Sequence, residues 1–312
     1  MAYHYKMKHA ELVSKPAAWP DLPLAAWKPT CETLHMWTQI VGKVRLAFAP
    51  PMNHWWQVPL YVSSRGLTTS PIPYKKGIFE VEFDFLTHEL VIQTNDGRNK
   101  RLPLRPLSVA DLYAEFMASL RSLGIEVKIW TTPVEIPNPI PFERDTEHAS
   151  YDREYVTRFW RSLVLCDEIF KEFRCGFVGK ASPVHFFWGS FDLAVTRFSG
   201  RRAPPRPDAD PITREAYSHE VISAGFWPGS GDIKDAAFYA YAAPEPEGFG
   251  QAQVRPAGAF YHSQLREFLL MYDDVRKAPS PSTALLDFLQ STYEAGANLA
   301  KWNRAELERH AA

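Results

Sequence analysis

Histidine and carboxylate side chains recur in this chain in a pattern suited to metal or acid–base chemistry. His54 and His185 each open an aromatic run, and His219 stands beside Glu220. Imidazole together with carboxylate is a ligand set for zinc or non-haem iron, so His54, His185, His219 and Glu220 are the candidate metal ligands. The same groups serve general acid–base catalysis, for which His185, His219, Glu220, Asp192 and Glu245 are the candidates. The spacings match neither the i, i+4 histidine pair of a helix nor paired cysteines. A histidine at a strand start also commonly hydrogen-bonds a backbone carbonyl, which is the competing reading.

A second constellation is basic: Arg197, Arg201, Arg202 and Arg206 surround Ser199-Gly200 and Pro204-Pro205, and Arg65 holds a matching place earlier in the chain. Guanidinium forks suit carboxylate or phosphate. Arg197, Arg201 and Arg65 are therefore candidate anchors for a small-molecule anion, with Trp55 and Trp188 as aromatic walls. The competing reading is a solvated arginine loop paired to Asp208 and Asp210. Glu245 and Glu247 lie in Pro-Glu-Pro-Glu-Gly, where the prolines fix the backbone; Glu247 reads as a solvent turn. His35 flanks a buried helical stripe and reads as a satisfied histidine, while Gly42 on that helix marks close approach of another element or of a ligand.

Several chemistries are excluded. No phosphate loop or dinucleotide fingerprint is present, so no nucleotide cofactor is implied, and Gly189-Ser190-Phe191-Asp192 lacks the second glycine of a nucleophile elbow. A net charge of -1 gives no field for nucleic acid. No apolar run approaches the roughly 20 residues of a membrane helix. The first fifteen residues, with His4, Lys6, Lys8 and His9, lack the apolar stretch of a secretory signal, which makes the expected location cytoplasmic. Cys31, Cys166 and Cys175 are expected to be reduced thiols. The chain is 14% aromatic, which suits an apolar pocket with polar tips and equally suits a large core. Nothing in the sequence sets an oligomeric state.

The elements that must position these residues follow a repeated order. A Pro/Trp-rich clamp ends the N-terminal extension, 1–29, and a helix from Thr30 carries Leu34, Trp37, Val41, Val44 and Phe48 as one stripe until Pro50-Pro51. A strand is expected over Trp55 to Val62, followed by a meander in which Phe79, Val81, Phe83 and Phe85 alternate with acids. Ser108 opens a helix that Gly124 closes, and Ile125 to Trp130 is a last strand. After a packed Pro-rich linker, 133–152, a helix at 153 to 178, strands near 185–198, 220–227, 237–242 and 268–272, and a helix opened by Ser282 repeat the scheme. The expected fold is α+β: two tandem-duplicated halves, 30–132 and 153–312, each an antiparallel meander bracketed by helices and related by a pseudo-twofold axis. A single continuous sheet formed from both halves fits as well.

Long strings of this chain resemble an uncharacterised bacterial family, a domain of unknown function. They are Trp37-Thr38-Gln39-Ile40-Val41-Gly42-Lys43, Asn53-His54-Trp55-Trp56, Gly66 to Pro73, Pro183 to Asp192, Arg197 to Arg202 and Pro244 to Phe249. The resemblance runs from about Trp19 to Trp302 and implies no reaction. Taken together, the residues lead to an enzyme or binding protein for a small organic anion, held in an aromatic cleft between the halves and open to metal dependence. The alternative is a non-catalytic interaction protein with an exposed aromatic surface.

Overall fold

The computed structural model describes residues 18–309; the stretch holding His4, Lys6, Lys8 and His9, and Pro16 of the clamp, lie outside the described residues. The chain is organised around one long helix, α1 (Leu24–Phe48). It begins at Leu24 rather than Thr30. Pro29 inside it forgoes a backbone hydrogen bond, but the first turns bury Leu24 and Trp27, whose ring lies 5.3 Å from Phe159. The extended clamp shortens accordingly to the residues around Trp19, which packs 5.7 Å from Tyr272.

Every residue of α1 from Met36 to Arg45 is buried, so over this stretch the helix has no solvent face. Its polar side chains pair with the Pro-rich segment. Gln39 exchanges two hydrogen bonds with the Val134 backbone at 2.8 and 2.9 Å, and Thr30 and Thr33 accept from the Asp152 and Ser150 amides. Lys43 Nζ donates to the Trp130 and Thr132 carbonyls. The residues from Ile125 to Trp130 are therefore not the expected strand: Lys43, not a strand neighbour, satisfies Trp130.

The first sheet is antiparallel, with β1 (Tyr61–Val62), β2 (Gly66–Thr68), β3 (Ile72–Tyr74), β4 (Gly77–Asp84), β5 (Glu89–Thr94) and β6 (Asn99–Pro103). Its order is β1-β2-β4-β5-β6, with β3 also on β4. Phe79, Val81 and Phe83 of β4 are buried and the intervening acids are not, as the alternation requires. Helix α2 (Val109–Ser122) starts where the Ser108 hydroxyl accepts from the Asp111 amide, and Gly124 follows it in the left-handed region. The expected strand from Trp55 shrinks to β1. His54 and Trp55 instead occupy a 3-10 turn, Asn53–Trp55, at φ of 59° and 60°.

Helix α3 (Arg153–Cys175) is capped by the Asp152 carboxylate, which accepts from the Glu154 and Tyr155 amides. The second sheet holds β7 (His185–Phe187), β8 (Asp192–Arg202), β9 (His219–Trp227), β10 (Ala237–Ala243), β11 (Phe260–His262) and β12 (Glu267–Met271), in the order β11-β12-β10-β9-β8-β7. The short α4 (Pro211–Ala216) lies between β8 and β9; α5 (Tyr272–Lys277), α6 (Pro281–Leu299) and α7 (Arg304–Leu307) follow β12. Helix α6 opens at Pro281, with Ser280 rather than Ser282 in the cap position, because proline fits the first helical residue.

The fold is thus α+β, with two six-stranded antiparallel sheets and helices against them. The sheets meet where Leu60 and Phe186 exchange both backbone hydrogen bonds at 2.9 Å. The expected matching of His54 with His185 and of Arg65 with Arg197 is not reproduced. His54 sits in a turn and His185 in β7, while Arg65 precedes β2 and Arg197 is in the body of β8. All three cysteines are free thiols, and among the described residues no helix is long and apolar enough to cross a membrane.

The close approach expected at Gly42 is a packing contact: a Cβ there would lie 2.3 Å from the Trp188 ring. Trp188 is itself tied, its Nε1 donating to the Val58 carbonyl at 2.8 Å. Gly42→Ala is expected to lose about 1–3 kcal/mol by overpacking, read as a lower midpoint in urea unfolding. An unchanged midpoint would mean that the Trp188 ring moves freely from its seat.

Candidate functional site

The face of the second sheet turned away from α3 and α6 carries the polar side chains. Strand register sets them in rows. His185, Ala194, Gly225 and Tyr239 form one; Thr196, Ser223, Tyr241 and Glu267 the next; Phe198, Val221 and Ala243 a third. Trp56 and Tyr217 pack onto the third row. The Tyr217 and Tyr241 hydroxyls are 2.8 Å apart, and the Tyr239 and Tyr241 rings stack at 6.1 Å. Gly225 makes this stack fit, since a Cβ there would meet the Tyr239 hydroxyl at 2.4 Å.

At one end of the face Asp192 is buried and accepts hydrogen bonds from the Ser190 and Tyr239 hydroxyls. Burial pushes its carboxyl above the usual range despite those donors. Burial and the nearby Asp192 push half-buried Glu267 up to about 7.

At the other end the groups are basic. The amide of His54 donates to Glu215 Oε1 at 3.2 Å, and its Nδ1 lies 3.2 Å from the carbonyls of both Glu215 and Ala216. The neutral tautomer that donates from Nδ1 leaves Nε2 as an acceptor, and Lys180 Nζ is 2.6 Å from it. The His219 ring is 5.6 Å from that of His54. Trp56 and Phe198 form the floor, with Lys180 Nζ 5.2 and 5.0 Å from their ring centroids. Burial and Lys180 lower the proton affinity of His54; burial, Arg202 and Lys180 lower that of His219. Among the described residues no carboxylate comes within ion-pairing distance of Lys180, whose electrostatic surroundings offer only desolvation.

Of the residues singled out in the sequence, His54 and His219 come together and Asp192 shares their face. The others do not join them. Glu220 neighbours His219 in β9 and so points to the opposite face, where Arg201 pairs with it at 2.7 Å. Arg201 also donates to the carbonyls of Ala300 and Lys301 at the end of α6. Arg197 is not a substrate anchor: it is 2% exposed, its Cζ lies 3.5, 4.3 and 5.0 Å from the ring centroids of Phe173, Tyr293 and Phe177, and Nη2 donates to the Phe173 carbonyl. Arg65 pairs with Asp84 at 2.6 Å in the first half. Glu245 accepts from Tyr261 and Arg266. Trp188 is the packing residue on Gly42, and Trp55 is held in the strained turn with its Nε1 buried and unpartnered. Arg206 lies over the Tyr217 ring rather than pairing with Asp208 or Asp210, and Asp210 caps α4.

His185 shares the face but is buried among Trp56, Tyr61 and Phe187, with neither ring nitrogen partnered. Among the described residues no three His, Cys, Asp or Glu side chains converge as metal ligands. The expected zinc or iron set is therefore not assembled, since Glu220 points away and His54 is engaged at both nitrogens. His35 is satisfied, as expected, by the Trp188 and Gly189 carbonyls at 3.0 and 2.8 Å.

A groove of about 220 Å³ does gather Arg201, Glu220 and Glu245 near Pro244 and Trp302. Its charges are already paired with one another or with Arg266, which leaves little to attract a charged ligand. Sequence reasoning missed Lys180, Tyr217, Tyr239, Tyr241 and Glu267. The alternation Tyr239-Ala240-Tyr241 could have placed two tyrosines on one face. Lys180 carries no periodic signal.

Glu267 supplies a test of this electrostatic picture. Its folded-state proton affinity exceeds that of the unfolded chain, so its stabilising contribution is full below about pH 4.5 and is lost as pH rises through about 7. Glu267→Gln is expected to stabilise the protein by about 1 kcal/mol at pH 8 and to be near neutral at pH 4, compared by urea unfolding. Equal effects at both pH values would show that Glu267 ionises normally.

No curated protein and no solved structure matches this chain. A family model described as a family of unknown function, DUF5996, matches residues 19–309, and over that nearly complete length the chain belongs to this family.

Proposed function

We propose that the protein is a cytoplasmic binding protein or enzyme for a small organic anion, whose charged group is taken by Lys180, His54 and His219 over the floor of Trp56 and Phe198. The observation that carries this reading is the Lys180 ammonium, 2.6 Å from an acceptor nitrogen of His54 and without a carboxylate partner among the described residues. Lys180 depresses the proton affinity of both histidines, and burial depresses its own, so one carboxylate or phosphate relieves all three. Tyr217, Tyr239, Tyr241, Asp192 and Glu267 on the same face offer hydroxyl and carboxyl groups to the rest of the molecule. His219, half-buried and adjacent, is the residue for proton transfer if the anion is turned over.

We take the two halves as copies of one ancestral unit, on their shared helix–sheet–helix order, with the site kept only in the second. The alternative, an interaction surface made of exposed aromatics, has less support. Of the ten tryptophans only Trp130 is exposed, and the rest serve the core or its margins.

Calorimetric titration with acetate, citrate, phosphate and 2-oxo acids tests the reading. At least one is expected to bind, with Lys180→Ala and His219→Ala each weakening it tenfold or more. Histidine NMR titration of the free protein is expected to show His219 taking up its proton at higher pH in Lys180→Ala than in the wild type. Affinity unaffected by either substitution would overturn the assignment.

A further inference from the structure

Where the sheets meet, Leu60 pairs with Phe186, so the next residues across are Tyr61 and His185, on the opposite face from those two buried side chains. Their rings lie 5.6 Å apart. His185 is 1% exposed, and both its nitrogens lack a partner. Arg45 reaches the same place from the last turn of α1. Its Cζ is 5.3 Å from the Tyr61 ring centroid, its Nε donates to the Gln57 carbonyl at 2.6 Å, and its buried Nη1 has no partner. The ionisable groups acting on this pair are Arg45 itself, Arg174 from α3 and the neutral Tyr61 phenol, which burial holds protonated and which hydrogen-bonds Arg45, with no carboxylate among them.

A buried guanidinium keeps its proton, and an unpaired buried charge is strongly destabilising. Buried polar atoms are almost always hydrogen-bonded, and a neutral imidazole keeps one N–H, so that N–H and Arg45 Nη1 are two orphaned donors that one acceptor can serve. Water would satisfy the hydrogen bonds and leave the charge uncompensated. We propose that Arg45 and His185 bind a small monovalent anion, a halide or a short carboxylate, in a buried site at the junction of the two sheets. The rings around His185 are those of Trp56, Tyr61 and Phe187, 5.8, 5.6 and 5.4 Å from it, which favour a small ion over a larger one. This site is separate from the Lys180 cluster: the Trp56 ring stands between them, 5.3 Å from His54 and 5.8 Å from His185.

The test is urea unfolding of the full chain in sodium bromide and in sodium formate against sodium gluconate at equal ionic strength. The wild-type midpoint is expected to rise with bromide or formate and to follow the saturable dependence of a ligand that binds only the folded state. That dependence should vanish in Arg45→Gln and in His185→Gln and persist in Lys180→Ala. A response to formate alone identifies a carboxylate, and one to bromide as well identifies a general monoanion site. His185→Gln carries the test if Arg45→Gln does not fold. Crystals containing bromide should show anomalous density within hydrogen-bond distance of Arg45 Nη1. Identical midpoints in the three salts, an equal rise in the His185→Gln variant, or bromide only at surface lysines, an adventitious ion only, would overturn the proposal.

Discussion

The seating of Trp188 on Gly42 is the contact on which the arrangement of the molecule depends. A side chain at position 42 would occupy the space of the indole, so the ring lies directly against the backbone of the central helix. The Nε1 donor of Trp188 ties in the segment around Val58, and the carbonyls of Trp188 and Gly189 receive His35 from the same helix. One residue thereby joins α1, the turn carrying His54 and Trp56, and the hairpin between β7 and β8. Phe191, left-handed at φ 60°, closes that hairpin and stacks on His35 at 4.8 Å and on Phe159 at 5.2 Å. His185 precedes this joint and Asp192 follows it, so the positions of both are inherited from packing. Close-packed interiors transmit such constraints because no slack volume absorbs a shift.

Charge in this protein divides into two kinds, and the division decides where a ligand has something to gain. Arg65 with Asp84, Arg201 with Glu220 and Glu245 with Arg266 are closed pairs. An anion arriving at Arg201 must compete with Glu220 and with the carbonyls at the end of α6. Arg197 is closed in another way: Phe173, Phe177 and Tyr293 surround its guanidinium, and burial draws its proton affinity down to about 10. Lys180 with its two histidines, and Arg45 with His185, are the opposite case, a cation beside imidazoles with no carboxylate paired to it. The closed pairs hold strands and a helix end in place; the open groups are where new interactions are worth most.

Much of the fold was legible because single periodicities dominate it. The β4 alternation, the Ser108 cap and the helix expected from residue 153 each depend on neighbours in the chain, and each is found where the residues place it. The failures share a different origin. Pro29 argued against a helix that tertiary burial of Trp27 sustains, and Ile125 to Trp130 has strand composition but gives its last carbonyl to Lys43. The run after His54 lost its strand to a turn whose positive φ values no local residue preference announces. For the candidate site, the pairing of His54 with His219 was within reach of sequence reasoning, while Lys180 was not. Its place beside His54 follows from the backbone bonds of residues 180–182 to β8, a contact between segments far apart in the chain from the turn it meets.

The outer face of the second sheet explains why the perturbed groups gather there. An antiparallel sheet covered on one face by helices usually leaves the other to water, and polar side chains on that face cost little. Here the turn around His54 and the six residues of α4, with Trp56 and Tyr217, cover part of it. The cover removes water from Tyr241, Glu267 and Asp192 without supplying a cation to them, and removes it from the His54 ring, to which it offers backbone carbonyls rather than an anion. The tyrosines respond by pairing hydroxyl to hydroxyl and hydroxyl to carboxylate, and burial raises the proton affinity of both acids. An isolated structural role would favour replacing such groups with apolar ones, because partly desolvated ionisable groups stabilise a fold poorly. Their concentration under a thin cover, beside a lysine without a carboxylate partner, is what the proposed anion site rests on.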